Sequence, residues 1–73
     1  MSKIKVGQIY NVPYLGGKVV VTWISGDDTE FFCVRQDGFF FKGNCRYQDN
    51  YNLIAEYISW KEAVNSKEFK NVE

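Results

Sequence analysis

The stretch KVVVTWIS at residues 18–25, followed by GDDT at 26–29 and EFFCVRQ at 30–36, determines the fold of this 73-residue chain. The first and last of these segments are rich in β-branched and aromatic residues, which favour strands. The four residues between them are typical of a turn. The sequence therefore predicts an antiparallel hairpin at the centre of the chain.

A four-residue loop in a regular hairpin fixes which residues lie opposite each other. The predicted pairs are Trp23 with Phe32 and Val21 with Val34 on one face, and Ile24 with Phe31, Thr22 with Cys33 and Val20 with Arg35 on the other. The first face is apolar throughout and is expected to be core. The second face is apolar at one end only, so it is expected to be half covered.

Three more strands are predicted around this hairpin. Residues 8–12 form a strand that ends at Pro13, because proline lacks the N–H that a strand donates. Asp37-Gly38 is a strong hairpin signal, so residues 39–42 are expected to pair back and to end at Gly43-Asn44. An irregular segment at 45–51 precedes a last strand at about residues 52–57.

A short helix is predicted to begin at Trp60. Ser59 and Glu62 match a capping box, in which each side chain accepts a hydrogen bond from the other residue's N–H. Trp60, Ala63 and Val64 recur on one face of a helix of two or three turns. So short a helix needs a surface to pack on.

Residues 1–73 are therefore expected to form a single domain, mainly β with one C-terminal helix. We expect a small SH3-like fold, a strongly bent antiparallel sheet or partial barrel of four to five strands. The alternative is an open meander of three or four strands with the helix across it. The helix is expected to cover the Ile24 and Phe31 end of the second face and to leave the Arg35 end open.

The composition argues against catalysis. The chain has no His, which removes the commonest general base and zinc ligand. Leu15-Gly16-Gly17-Lys18 lacks most of a phosphate-binding loop and is interpreted as a turn. A non-enzymatic protein is expected, with no metal and no cofactor. The N-terminal residues resemble no signal peptide, so a cytoplasmic location with reduced Cys33 and Cys45 is expected.

The surplus of aromatic residues is the feature that points to function. Thirteen of the 73 residues are Phe, Tyr or Trp, and three consecutive Phe at 39–41 must place a ring on each side of their strand. Such rings can complete a small core or form an exposed patch. The candidate binding residues are Phe40, Arg46, Tyr47, Tyr51 and Arg35, with the acidic turn of Asp27, Asp28 and Glu30 as a rim.

Two functions fit these residues. The first is a non-catalytic protein-binding module that uses an aromatic patch, which agrees with nine basic and nine acidic residues and a net charge of zero. The alternative is a single-stranded nucleic-acid binder, in which rings stack on bases and basic residues contact phosphates. The basic residues would be Lys3, Lys5, Lys18, Arg35 and Arg46. Zero net charge disfavours this alternative. The sequence predicts no membrane association, and it leaves the oligomeric state open.

The segment KVGQIY at 5–10, the Val-rich strand, the Asp-Gly hairpin and the segment WKEAV at 60–64 together resemble small, mostly uncharacterised proteins of Gram-positive bacteria and their phages. The resemblance spans the chain but contains no catalytic or binding motif. It implies an accessory protein of a phage or mobile element that modulates a host protein.

Overall fold

The computed structural model describes residues 4–44 and 51–70. In chain order the elements are β1 (Gln8–Val12), a 3-10 turn (Pro13–Leu15), β2 (Gly17–Ile24), β3 (Glu30–Arg35), β4 (Phe40–Asn44), β5 (Asn52–Glu56), α1 (Trp60–Val64) and α2 (Lys67–Lys70). The predictions made for Lys3, Cys45, Arg46 and Tyr47 lie outside the described residues.

The five strands form one antiparallel sheet in the order β4-β3-β2-β1-β5. The first four strands follow one another as a meander, and β5 returns to pair with β1. Over the residues described, β4 and β5 are the two edges and the sheet is not closed. This confirms the predicted mainly β fold of four to five strands with C-terminal helical structure. Strand β4 runs two residues beyond its predicted end, through Gly43 and Asn44.

The sheet is strongly bent. Tyr51, just before β5, packs edge-on against Phe31 of β3, with ring centroids 5.6 Å apart. The strands β3 and β5 are three positions apart in the sheet, which would separate them by about 14 Å if the sheet were flat. Because the two rings touch, the sheet must curl around them. Tyr51 also packs edge-on against Tyr10 of β1.

Each of the two faces of the bent sheet has its own core. The inner face encloses the side chains of Ile4, Tyr10, Val12, Val19, Val21, Phe31, Cys33 and Tyr51. The outer face carries Ile9, Val20 and Val34, which pack against Ala63 and Phe69 of the helices. The helices are therefore attached to the outside of the curled sheet, and burial of apolar surface on both faces stabilises the small domain.

A β-bulge in β2 changes the predicted register of the central hairpin. Trp23 lies opposite Phe32 and Ile24 opposite Phe31, as predicted. Beyond Thr22, however, the register shifts by one, so the other three predicted pairs are wrong. The observed pairs are Val21 with Cys33, Val20 with Val34 and Val19 with Arg35. Thr22 is the extra residue that interrupts the alternation of side chains.

The helix begins at Trp60, as predicted, and the Ser59 hydroxyl accepts a hydrogen bond from the N–H of Glu62 at 3.2 Å. The prediction of the surface on which the helix packs is wrong. Ile24 and Phe31 belong to the inner core, and the helices cover the outer face around Val20 and Val34 instead. The bulge causes this difference, because it turns Ile24 inward.

A second short helix, α2, was not predicted. Its Phe69 is buried against the outer face. Polar side chains of β2 and of the turn after β3 hold it there: the Lys18 ammonium donates to the carbonyl of Glu68 at 2.7 Å, and the Gln36 amide donates to the carbonyl of Phe69. The end of the outer face near Gln36 is therefore covered, whereas it had been expected to be open.

Gly43 allows the inner core to close at the β4 edge. A Cβ atom at this position would lie 2.4 Å from the ring of Phe31, which is fully buried. The ring occupies the space that a side chain on residue 43 would need.

We predict that Gly43→Ala destabilises the fold by about 1–3 kcal/mol, because the buried Phe31 ring must shift to admit a methyl group. Gly26→Ala is the matched control, since nothing lies within 4 Å of its Cβ position. It should change the free energy of unfolding by no more than about 0.5 kcal/mol. Urea denaturation measures both, and equal effects at the two positions would contradict the role given to Gly43.

Candidate functional site

The candidate site is a strip of three aromatic side chains on the outer face, beside the helices. Trp23 of β2, Phe32 of β3 and Phe40 of β4 are 46%, 39% and 58% exposed. The Trp23 and Phe32 rings lie against each other, with centroids 5.3 Å apart and planes tilted by 36°. Phe40 pairs with Val34, two residues along β3 from Phe32. We call Trp23, Phe32 and Phe40 the aromatic strip.

The bulge at Thr22 positions Trp23 in this strip. In a regular strand Trp23 would share a face with Val21, which is buried in the inner core. The extra residue reverses the alternation of side chains, so Trp23 projects from the same face of the sheet as Val20. The helices cover Val20 but not Trp23, and the indole therefore stays partly exposed.

The charged side chains that border the strip neutralise each other. The Lys42 ammonium lies 3.6 Å from the Glu30 carboxylate, and Lys42 is the strand partner of Phe32. Both charged side chains are about half exposed. The strip is thus an apolar surface with a balanced polar border, the composition usual at protein interfaces.

Three of the residues predicted for a binding patch, Phe40, Tyr51 and Arg35, lie in the part of the chain that the structure describes, and of these three only Phe40 is found in the strip. Tyr51 is only 9% exposed and packs in the inner core against Tyr10 and Phe31, so it shares no surface with Phe40. Phe39 is also exposed, whereas Phe41 is half-buried against the inner core. The three consecutive Phe residues therefore do place rings on both sides of β4.

Arg35 lies away from the strip. Its guanidinium donates to the Asp37 carboxylate at 2.8 Å and lies 5.6 Å from the centroid of the Phe39 ring. Arg35 alternates with Val34 along β3, so its side chain leaves the sheet on the opposite side from Phe32 and Phe40. The pairing with Asp37 reduces its availability for a phosphate or carboxylate ligand.

The acidic turn has a local structural role. The Asp27 carboxylate accepts hydrogen bonds from the hydroxyl of Ser25 at 2.8 Å, and from the hydroxyl and N–H of Thr29 at 2.8 and 3.2 Å. These bonds, that from Ser25 first, lower the pKa of Asp27 from its usual 3.8. Asp28 adopts a positive φ of 61°, which Asp tolerates in turns. The bonds fix the loop between β2 and β3.

The described residues offer little reactive chemistry. Cys33 has a free thiol, and burial raises its pKa to about 12, so little of it is the nucleophilic thiolate at neutral pH. Within residues 4–44 and 51–70, no three His, Cys, Asp or Glu side chains cluster to hold a metal ion. Neither helix in this part of the chain is long and apolar enough to cross a membrane.

Sequence reasoning missed Trp23 and Phe32 as surface residues. Both were expected in the core, because a regular register places them with Val21 and Val34 on one apolar face. The only indication of the bulge is Thr22, the one polar residue in the segment VVVTWI. This indication is weak, because a polar residue is equally common on the solvent side of a regular strand.

Comparisons of the chain with family models, with curated proteins and with solved structures gave no match. The geometry of the aromatic strip is therefore the basis on which a function is proposed.

We predict an energetic coupling between Trp23 and Phe32, because their rings touch at the surface. A double-mutant cycle of Trp23→Ala and Phe32→Ala should give about 0.5–1 kcal/mol of interaction free energy. The control cycle combines Trp23→Ala with Phe39→Ala. The ring of Phe39 lies against Arg35 instead, so the effects of these two substitutions should be additive. Equal coupling in both cycles would show that the ring contact is absent.

We also predict that the stabilising effect of Asp27 depends on pH. Its pKa is lowered in the folded protein, so its ionised form stabilises the fold above the unfolded pKa. The effect is lost as pH falls below about 3.8 and through the folded pKa. Asp27→Asn keeps an acceptor oxygen but does not titrate. The gap between the thermal midpoints of wild type and Asp27→Asn should shrink on acidification, and a constant gap contradicts this.

Proposed function

We propose that this chain is a small non-catalytic module that binds a protein partner through the aromatic strip. The observation that carries the proposal is the contact between the half-exposed Trp23 and Phe32 rings on the outer face. Large aromatic side chains contribute most of the binding energy at protein interfaces, because they bury much apolar area with few rotatable bonds.

The position of the strip supports this proposal. The sheet beneath it is held on the inner side by Phe31 and Cys33, and both are fully buried. The rings therefore stand on a rigid base, so less conformational entropy is lost when a partner covers them. The neighbouring helices give the strip a raised border on one side, where Ala63 and Phe69 pack onto the sheet.

The pairing of charges favours a protein over a nucleic acid as the partner. Single-stranded nucleic acid needs unpaired cations near the stacking rings. Here Lys42 is paired with Glu30, Arg35 with Asp37, and the Lys18 ammonium donates to the carbonyl of Glu68. The net charge of zero agrees with this preference.

The biological setting that we propose is cytoplasmic, as an accessory protein of a phage or mobile element acting on a host protein. The support for this is the resemblance of the sequence to small proteins of Gram-positive bacteria and their phages. The chemistry of the aromatic strip is compatible with any host partner that presents an apolar surface.

We predict that immobilised wild-type protein captures a specific partner from a lysate of its native host, and that Trp23→Ala weakens this binding about tenfold or more. Ile58→Ala is the matched control, because Ile58 is 94% exposed and lies outside the strip. It should bind like wild type. Quantitative mass spectrometry identifies the partner, and titration of the purified partner gives the affinities.

If Trp23→Ala and Ile58→Ala reduce capture equally while both remain folded, the strip is not the binding surface.

Titration with a labelled single-stranded oligonucleotide at two salt concentrations tests the alternative. Binding that weakens steeply with salt and is lost in Trp23→Ala would replace the protein-binding proposal with the nucleic-acid one.

A further inference from the structure

We infer that a cavity at one end of the sheet binds a small oxyanion, a phosphate or carboxylate group. The cavity has a volume of about 140 Å³ and is lined by Gly16, Lys18, Arg35, Gln36 and Asp37. This inference goes beyond the proposed function and does not rest on it, since Arg35 projects from the face of the sheet opposite to the aromatic strip.

The register of β2 and β3 brings the lining residues together. Val19 lies opposite Arg35, so Lys18 and Gln36, the next residues outward, are neighbours across the two strands. Gly16 and Asp37 belong to the turns that adjoin these strand ends. The backbone pairing of the central hairpin therefore fixes the walls of the cavity.

Two sets of contacts place the cationic groups at the cavity. The carbon of the Arg35 guanidinium lies 3.8 Å from the position that a Cβ atom on Gly16 would take, so the guanidinium adjoins the glycine backbone. The Lys18 ammonium and the Gln36 amide donate to consecutive carbonyls of α2, so these two groups are close neighbours.

The cavity has more hydrogen-bond donors than acceptors. A guanidinium presents a planar fork of N–H donors, and an ammonium carries more than one. Among the described residues, the Lys18 ammonium makes one hydrogen bond, and the Arg35 guanidinium makes one through its Nη2 group to the Asp37 carboxylate. The ion pair with Asp37 thus reduces the donors of Arg35 without using all of them. The remaining donors suit a ligand that only accepts hydrogen bonds.

The charge of the lining favours an anion over a neutral acceptor. Lys18 and Arg35 are positively charged and Asp37 is negatively charged, so the lining carries a net positive charge. The Lys18 ammonium donates to a neutral carbonyl, which leaves its charge uncompensated by a carboxylate. The ion pair with Asp37 helps to orient the guanidinium, and a planar fork matches the spacing of two oxygens on one oxyanion.

The volume of the cavity suits a small oxyanion. A water molecule takes about 30 Å³ of liquid volume, so the cavity has room for about four or five waters. A phosphate ion is of this size, and its oxygens can accept from a guanidinium and an ammonium at the same time. Phosphate also carries more negative charge than a carboxylate at neutral pH, so it is expected to bind more tightly.

The test is a titration of the full chain with inorganic phosphate at low ionic strength, followed by the chemical shifts of the Gly16 and Gln36 amides and of the Arg35 Nε–H. We expect saturable shifts with a dissociation constant of about 1–10 mM. Acetate should bind about threefold more weakly. The net charge of the chain is zero, so saturable binding reports a local site and not a general attraction for anions.

Arg35→Gln and Lys18→Gln should each raise the dissociation constant for phosphate about tenfold or more, because each removes a charge-assisted hydrogen bond. Lys42→Gln is the matched control. It removes the same charge and breaks an exposed ion pair, that with Glu30, but Lys42 does not line the cavity. It should bind phosphate within about twofold of wild type.

Wild type that shows no saturable shifts up to about 50 mM phosphate overturns the inference, and this result needs no substituted protein. Equal weakening by Lys42→Gln and Arg35→Gln also overturns it. Tighter binding of acetate than of phosphate supports an oxyanion site and assigns it to a carboxylate. None of these results bears on Trp23→Ala, so the inference and the proposed function can fail separately.

Discussion

The β-bulge at Thr22 is the feature on which the rest of the structure depends. One extra residue in β2 divides the strand into two segments with opposite alternation. Val19 and Val21 enter the inner core before the bulge, and Ile24 packs against it after the bulge. Without the bulge, Trp23 would take the position of Ile24 relative to that core, and a large indole would have to fit within the curled sheet.

The bend of the sheet and the attachment of the helices follow from the same arrangement. The inner face closes around Phe31, with Gly43 leaving room for its ring and Tyr51 packing edge-on against it. The outer face presents Val20 and Val34 to the two short helices. Among the described residues, these two helices cover only part of the outer face, and Trp23 lies in the remaining part. The aromatic strip is the part of the outer face that the helices leave exposed.

Much of this fold could be predicted from local patterns, because strand propensity, the Asp37-Gly38 turn and the cap at Ser59 act over a few residues. The start of α1 agrees with those patterns, and so do the positions of all five strands to within two residues at each end. The site could not be predicted in the same way. A bulge depends on the packing of a whole strand between two cores. Helix α2 depends on Lys18 of β2 and on Gln36 in the turn after β3. Both arise from contacts that are distant in sequence.

Cross-strand nuclear Overhauser effects between β2 and β3 are the sharpest test of the bulge, because they report the register on either side of Thr22. We expect backbone contacts of Val20 with Val34 and of Val21 with Cys33. Contacts of Val21 with Val34 would instead indicate a regular hairpin, in which Trp23 faces the inner core. That result would contradict both the bulge and the aromatic strip built upon it.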